Sequence, residues 1–508
     1  MLKQFIFMLS LLFSAQQAIS QKLPAFVTKQ LDGYIWQGMK DWQVPGLALV
    51  VVKDGKVVIR KGYGVQSLPN GEPVDENTLF FIASNSKLFT GTALAHLQYH
   101  KKINLNDKIT RYFPEYRLYD SLTTQQVTIR DMLAHRIGTA TFQGDFTFWN
   151  TTLSSQEIMN RMRLLKPSGI FRQDYGYCNS CFLTAGEVIP KATGISWFSY
   201  VNDSIVKPLG MTNTYTSSNG LRSRVNNMAV PYTTSFTGKL NRVPDDNWDN
   251  LGPAASMVSN VKDLTNWLMM QLDSGRLEGK NILPWPVVRA TRDVQITLNS
   301  RKSGMLPTHF TGYGLGLMAT DYNGKQVYWH TGGAAGMVSN VCFVPEARLG
   351  IAILTNNDNQ SFFEALRYQL LDAFLEVPFV NRSSMMLKAF NEGEKQTLDS
   401  IAAWRTRVTS KVPAPGLEAY TGKYNHPLYG HITLQPKGAG ELEIKFAHHP
   451  NLTGYLAYMG QNDWLLEFNN IEYGIFKVSF VQDGNSIKGF ALKVNDFVEY
   501  DTYVFAKE

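Results

Sequence analysis

Cysteine is scarce in this sequence. Its 508 residues include three, Cys178, Cys181 and Cys342, and an odd number leaves at least one thiol free or paired with another chain. Cys178 and Cys181 have the C-x-x-C spacing of redox and zinc sites, but there is no second pair, and none of the nine histidines lies close to them in sequence. We therefore expect two buried thiols at the start of a helix, and we predict no metal ion and no cofactor.

Runs of basic residues are also absent. The net charge of +7 comes from 49 Lys and Arg against 42 Asp and Glu, and no four basic residues are consecutive. Because a nucleic-acid-binding protein concentrates such charge on a stripe or an arm, we predict no nucleic-acid partner. The sequence is 44% hydrophobic and 12% aromatic, which excludes intrinsic disorder and provides a sizeable core.

Long hydrophobic runs are missing as well. The apolar stretch from Phe5 to Phe13 is shorter than the roughly 20 residues that span a bilayer. Lys3 precedes this stretch, and the small residues Ala18 and Ser20 follow it, which is the layout of a secretory signal peptide over residues 1–20. The alternative is an N-terminal core helix. We expect a secreted or periplasmic protein without a transmembrane anchor.

Two β-hairpins enclose a long helical region. The first covers residues 47–64 and turns at Asp54-Gly55, and the second turns at Asn323-Gly324. Two more strands follow at residues 338–344 and 349–355. This order predicts an α+β fold, in which one antiparallel sheet is flanked by helices and carries a helical subdomain. We place this domain at residues 21–380.

The C-terminal part follows another pattern. Residues 381–415 are charged, helical in part and end in a Pro413-Ala414-Pro415 stretch, which indicates a semi-rigid linker. From Leu417 onward, short β-rich runs recur about every ten to fifteen residues, separated by Gly, Asn and Asp. Evenly spaced short strands without helices predict a small all-β, barrel-like domain over residues 416–508.

The first motif with chemical meaning is Ser-x-x-Lys at Ser84 and Lys87. If Ser84 begins a helix, Lys87 lies one turn further on the same face, where its amine can activate the serine hydroxyl. The spacing also occurs at Ser204 and Ser259, but only Ser84 lies between an apolar strand and a helical run. The alternative for Ser84 is an ordinary helix N-cap.

Two further motifs complete a candidate site. Tyr177 could shuttle a proton, and Asn179, which both donates and accepts, could hold Lys87 and a substrate amide. His330, Thr331, Gly332 and Gly333 lie on a strand whose small residues would let a substrate lie alongside. The Gly333 N–H could join that of Ser84 as an oxyanion hole.

Together these motifs resemble the serine β-lactamase and penicillin-binding-protein superfamily. The similarity is greatest to the branch of class C β-lactamases, D-alanyl-D-alanine carboxypeptidases, D-aminopeptidases and esterases, and it covers about residues 28–375. The segments Val44-Pro45-Gly46 and VPEARLGIAILTN also look like this branch. The tail, through Tyr420-Thr421-Gly422-Lys423-Tyr424, resembles the lipocalin-like β-domain often appended to such hydrolases.

The resemblance implies a role for each matching residue. Ser84 would be acylated, Lys87 would help to deprotonate it, Tyr177 would act as general base and acid, and Asn179 would bridge Lys87 and the substrate. His330 stands where class C β-lactamases have lysine, so the fixed positive charge for a substrate carboxylate is missing. The stretch His135 to Gly138 also departs from the family pattern, and we interpret it as structural.

The function expected from this resemblance is an exported serine hydrolase that forms an acyl-enzyme. Its substrate would be a small molecule or a short peptide, with D-amino-acid peptides favoured. A carboxylesterase is the nearest alternative. A β-lactamase is disfavoured by His330, and a non-catalytic binding protein by the presence of Ser84, Lys87, Tyr177 and Asn179. The sequence does not indicate which oligomeric state the protein adopts.

Overall fold

The structure is a computed structural model that describes residues 23–409, 416–438, 440–484 and 486–508. The predicted signal peptide, residues 1–20, and the proline-containing end of the predicted linker lie outside the described residues. Among the described residues, no helix has the length and apolarity needed to cross a membrane.

The α-helices are, in chain order, α1 Ala25–Lys29, α2 Leu31–Asp41, α3 Ser86–Tyr99, α4 Ile109–Tyr112, α5 Ser121–Gln126, α6 Ile129–Leu133, α7 Asp145–Phe148, α8 Ser155–Arg161, α9 Asn179–Gly186, α10 Val188–Thr193, α11 Trp197–Val201, α12 Gly252–Ala255, α13 Val261–Leu272, α14 Trp285–Arg292, α15 Phe362–Phe374 and α16 Arg382–Thr409.

The strands are, in chain order, β1 Gly46–Lys53, β2 Lys56–Gly64, β3 Phe80–Phe81, β4 Tyr232–Thr233, β5 Asn241–Arg242, β6 Val258–Ser259, β7 Arg276–Leu277, β8 Lys280–Asn281, β9 Ile296–Asn299, β10 Thr311–Tyr313, β11 Met318–Tyr322, β12 Lys325–Ala334, β13 Met337–Val344, β14 Leu349–Thr355, β15 Gly422–His426, β16 Gly430–Gly438, β17 Glu441–Phe446, β18 Thr453–Gly460, β19 Asp463–Phe468, β20 Ile475–Asp483, β21 Ser486–Leu492 and β22 Tyr503–Lys507.

The main sheet joins strands from both ends of the first domain. Its order is β2-β1-β14-β13-β12-β11-β10-β9, and the pairings are antiparallel. The predicted hairpins form at Asp54-Gly55 and Asn323-Gly324. Successive β1 residues enter different cores, with Val50 on the side of α13 and Val51 on the side of α15, as the period of two in a strand requires. Helices therefore cover both faces of the sheet.

The predicted α+β architecture is confirmed. Helices α3 to α14 lie between β2 and β9 in the chain and form the helical part, which packs mainly on one side of the sheet. In this arrangement α3, α9 and α12 pack against one another, and the turn Ala83–Asn85 before α3 lies against β12. The candidate site lies where these helices meet the strand.

The C-terminal strands β15 to β22 form the predicted barrel, and it is closed. Large buried side chains, including Tyr424, Trp464 and Phe480, fill its interior. The range predicted as a linker contains the 28-residue helix α16, which has no proline to interrupt it. Ile401 on this helix packs against Met459 and Leu465 of the barrel.

Candidate active site

Ser84 lies in a tight turn between a short strand and a long helix. Strand β3 ends at Phe81, a 3₁₀ turn covers Ala83–Asn85, and α3 follows at once. The turn requires Ala83 to adopt φ 46°, in the left-handed region that L-residues rarely occupy. The sharp reversal points Ser84 into a cavity, while Lys87, one turn further, lies beneath it.

The Lys87 amine is fully buried and has three oxygen partners. Its Nζ lies 3.0 Å from Ser84 Oγ, 2.6 Å from Asn179 Oδ1 and 2.9 Å from the carbonyl oxygen of Ala254. Burial lowers the pKa of Lys87 from its usual 10.5 to about 7, although the nearby Asp145 works in the opposite direction. A large fraction of this lysine is therefore neutral near pH 7.

The phenol of Tyr177 lies next to the same serine. Ser84 and Tyr177 line the same cavity, and Lys87 Nζ lies 4.8 Å from the centre of the tyrosine ring. Burial raises the pKa of Tyr177 well above its ordinary value, so that the phenol keeps its proton in the resting site. The ring of His135 lies against it, with the ring centres 4.3 Å apart.

Asn179 connects Lys87 to a residue that sequence reasoning missed. It is the first residue of α9, and its Nδ2 donates to Asp145 Oδ2 at 2.6 Å while its Oδ1 accepts from Lys87. Asp145 is buried, and burial raises its pKa well above the usual value. No motif marks Asp145 in the sequence, where it begins the short helix α7 and lies 34 residues before Asn179.

The stretch from His330 to Gly333 lies on β12, beside the turn of Ser84. A Cβ on Gly332 would lie 2.0 Å from the carbonyl oxygen of Ile82, so this position can hold only glycine without a backbone shift. The Thr331 hydroxyl accepts a hydrogen bond from Asn340 at 2.9 Å. Gly333 lines the cavity and faces the ring of Phe497.

His330 is buried and carries no charge at neutral pH. Its Nε2 lies 3.0 Å from the Tyr313 hydroxyl, and its Nδ1 lies 2.7 Å from the carbonyl oxygen of Thr331. Burial, followed by repulsion from Lys87, lowers the pKa of His330 to about 3. The position that is lysine in class C β-lactamases is therefore neutral here.

The cavity in front of Ser84 has a volume of about 510 Å³ and a lining rich in aromatic side chains. The first domain contributes Phe142, Trp149, Trp329 and Phe363 in addition to the predicted residues. The barrel contributes Asp496, Phe497 and Tyr500, which follow β21. The sequence shows no motif for this contribution, because it arises only when the barrel packs on the first domain.

Two other predictions concern residues close to the site. Cys178 and Cys181 are buried free thiols at the start of α9, as predicted, and Cys342 is also buried and free. His135 is buried, and its Nδ1 accepts the backbone N–H of Cys178 at 2.9 Å, so it supports the Tyr177 segment.

The other two Ser-x-x-Lys pairs do not form comparable sites. Lys207 binds Asp203 at the surface, and Lys262 lies 3.2 Å from Asn77 Oδ1. His96 and His100 on α3 have ring nitrogens 3.1 Å apart, but no group of three or more potential metal ligands occurs in the part of the chain that the structure describes.

An antiparallel sheet with a helical subdomain, and a serine paired with a buried lysine, are features of the penicillin-binding class of serine hydrolases. The family model described as Beta-lactamase matches residues 31–374. The chain belongs to this family.

Individual relatives agree with this classification. The chain is 28% identical over 425 residues to the unguisins hydrolase ungD' of Aspergillus campestris (strain IBT 28561), covering 78% of this chain and 76% of that protein. It is 26% identical over 338 residues to protein flp of Staphylococcus aureus (strain MRSA252), covering 65% of this chain and 63% of flp. The fold is similar to that of the octameric penicillin-binding protein homologue from Pyrococcus abyssi, with a TM-score of 0.60 and 19% identity over 92% of this chain and 98% of that one.

Proposed function

We propose that the protein is a serine hydrolase that forms an acyl-enzyme on Ser84. The observation that carries this proposal is the set of partners around Lys87. A neutral amine has two N–H groups, and the oxygens of Asn179 and Ala254 can each accept one. The lone pair then points at the Ser84 hydroxyl, 3.0 Å away, and can take its proton.

In the acylation step, Ser84 Oγ attacks the substrate carbonyl carbon and its proton passes to Lys87. The C–O bond to serine forms, and the bond to the leaving alcohol or amine breaks. Tyr177, whose raised pKa keeps it protonated, donates its proton to the leaving group. The Lys87 ammonium then returns a proton to the phenolate, so both groups are restored.

In the deacylation step, water attacks the acyl carbon and Lys87 accepts the proton of the water. Ser84 leaves as the alkoxide and regains its proton from Tyr177, which Lys87 reprotonates. In both steps the carbonyl oxygen develops negative charge, and the N–H groups of Ser84 and Gly333 are the proposed donors to it.

The proposed substrate is a small peptide or an ester with an apolar acyl group. An aromatic cavity of about 510 Å³ favours such a group, because burying apolar surface is favourable. His330 is neutral, so a substrate carboxylate would have no cationic partner at that position. Peptides with D-amino acids are the favoured class because of the resemblance to D-aminopeptidases and carboxypeptidases, and a carboxylesterase is the second candidate.

A substrate panel tests this proposal. Rates on a p-nitrophenyl acyl ester, a D-alanyl anilide with its L-alanyl counterpart, and a chromogenic cephalosporin are compared, with Ser84→Ala as the control. We expect the ester and the D-anilide to be cleaved and the cephalosporin to be the poorest substrate. A dominant cephalosporin rate, or turnover that survives Ser84→Ala, would contradict the proposal.

We also propose that the protein is exported. The support is the signal-like layout of residues 1–20, and the test is N-terminal sequencing of the protein recovered outside the cytoplasm. A mature chain that begins near Gln21 is expected, and a chain that retains Met1 and stays in the cytoplasm would refute export.

A further inference from the structure

Glu499 of the barrel is buried against the first domain rather than in the barrel alone. Its carboxylate accepts the backbone N–H of Gly144 at 2.6 Å, that of Phe146 at 3.1 Å and the hydroxyl of Tyr429 at 2.6 Å. The Tyr503 hydroxyl donates to it as well. A carboxylate that binds two amides of another domain holds their backbone in one conformation.

The two amides bracket Asp145. Gly144 has φ 86°, in the left-handed region, and begins the turn that enters α7. His449 of the barrel contacts the other side of the same turn. Its Nε2 lies 2.9 Å from the carbonyl oxygen of Phe146. The imidazole of His449 also stacks on the ring of Phe146, with the ring centres 4.7 Å apart. Barrel residues therefore bind the backbone on both sides of Asp145.

Asp145 in turn determines how the Asn179 amide is oriented. Asp145 Oδ2 accepts the hydrogen bond of the Asn179 amide, so the NH₂ end of the amide faces Asp145. This orientation leaves Oδ1 facing Lys87 at 2.6 Å. The reverse orientation would place the NH₂ group against the lysine and would remove one of the acceptors that orient its amine towards Ser84.

We propose that Glu499 is a positioning residue for the active site. It fixes the turn of Asp145, Asp145 fixes the Asn179 amide, and Asn179 holds Lys87 against Ser84. Glu499 thus acts on the site without touching the substrate cavity, since neither Glu499 nor Asp145 lines it. This inference rests on the proposed function, because it assigns a supporting role in acylation of Ser84.

Several titratable groups lie close enough to Lys87 and Asp145 to influence their charge. Asp145 and Cys178 act on Lys87, and Glu499, Cys178 and Lys87 act on Asp145. Repulsion from Lys87 also lowers the pKa of His135 and that of His330. Burial raises the pKa of Glu499 to about 7, and the hydrogen bonds from Tyr429, Tyr503 and the two amides oppose this rise. Full ionisation of Glu499 therefore depends on the same contacts that hold the turn.

A double-mutant cycle on the full-length protein tests the proposal. The variants are Glu499→Ala, Asp145→Ala and the double variant, and the readouts are the rate constant for labelling by a fluorophosphonate, kcat and KM on a p-nitrophenyl ester. We expect each single change to lower the labelling rate and kcat about tenfold to a hundredfold, the scale that small misplacements of catalytic groups produce. KM should change less than kcat, because most of the cavity lining lies outside the contacts that are removed.

The double variant decides between positioning and general stability. If Glu499 acts through Asp145, the double variant should be no slower than Asp145→Ala alone. Rate losses that multiply would overturn the proposal, as would a Glu499→Ala enzyme with normal kcat. If the Ala variant does not fold, Glu499→Gln, which keeps one acceptor, takes its place in the cycle under the same criteria.

The matched control is Glu472→Gln, a substitution of another buried barrel glutamate, whose oxygens find no hydrogen-bond partner among the described residues. It should leave the labelling rate within about twofold of wild type, because no hydrogen bond joins the Glu472 carboxylate to the turn of Asp145. A loss as large as that of Glu499→Ala would overturn the proposal by showing that any buried barrel carboxylate has this effect. Labelling that persists in Ser84→Ala would instead reject the proposed function itself.

Discussion

Replacing Lys87 with methionine should abolish activity and stabilise the fold. Methionine is apolar and nearly as long, so it can fill the same space without bringing a charge into the core. We expect the acylation rate to fall at least 10²-fold, the usual scale for an acid–base group. The hydroxyl of Ser84 would lose its only amine partner in the described site.

The gain in stability follows from the pKa of Lys87. It falls from 10.5 to about 7 on folding, and one pKa unit corresponds to about 1.4 kcal/mol. Part of the stability gained by removing the buried amine is lost again in the variant, because the oxygens of Asn179 and Ala254 lose their hydrogen-bond donor. Replacing buried charged groups by apolar ones stabilises proteins by about 1–4 kcal/mol, which we take as the expected gain in the free energy of unfolding.

The gain should depend on pH with a definite sign. Below pH 7 the lysine is protonated in both the folded and the unfolded protein, so the cost of burying the ammonium is complete. Between pH 7 and 10.5 the folded lysine is neutral while the unfolded one is charged, and the cost declines as the pH rises. The advantage of Lys87→Met should therefore be larger at pH 6 than at pH 9.

Thermal and urea unfolding at these two pH values measure the effect. A variant that is inactive and more stable, most clearly at pH 6, agrees with the reasoning. A variant that is less stable than wild type at pH 6, or that retains near-normal acylation, would refute it. Lys262→Met is the control, because this lysine is near the surface and should change neither property.

Three further predictions concern the same site. The acylation rate should fall about tenfold per pH unit below pH 7, as Lys87 becomes protonated, and a flat profile between pH 5 and 7 would speak against lysine as the base. Tyr177→Phe should lower kcat at least 10²-fold with the fold intact by circular dichroism, and near-normal kcat would remove Tyr177 from the mechanism. Phe497→Ala should widen the cavity and improve the relative rate on bulkier acyl esters, and an unchanged chain-length preference would show that the barrel does not limit the substrate.

Much of the fold could be predicted from local patterns. The Asp54-Gly55 and Asn323-Gly324 turns determine their hairpins within a few residues, and each strand run in the tail has become a barrel strand. Such features depend on neighbours in sequence, so they can be recognised there. The length of α16 was less visible, because a charged helix without strong periodicity resembles a linker.

The site was only partly predictable, because only the residues that belong to short sequence motifs could be recognised. The motifs at Ser84, Tyr177 and His330 identified groups that the structure places in one cavity. Asp145 and Glu499 could not be found in this way, because their contacts join residues 34 and 355 positions apart, and the contact of Glu499 also depends on how the barrel packs on the first domain. A buried carboxylate without a motif becomes visible only when its hydrogen-bond partners are known.

The intact mass of the labelled protein shows whether Ser84 is the residue that becomes acylated. The purified full-length chain is incubated with a fluorophosphonate and, separately, with an excess of a p-nitrophenyl ester, and its intact mass is measured beside that of Ser84→Ala. We predict one adduct on the wild-type chain, mapped by peptide analysis to Ser84, and none on the variant. An adduct that persists in Ser84→Ala, or that maps to another residue, would contradict this prediction.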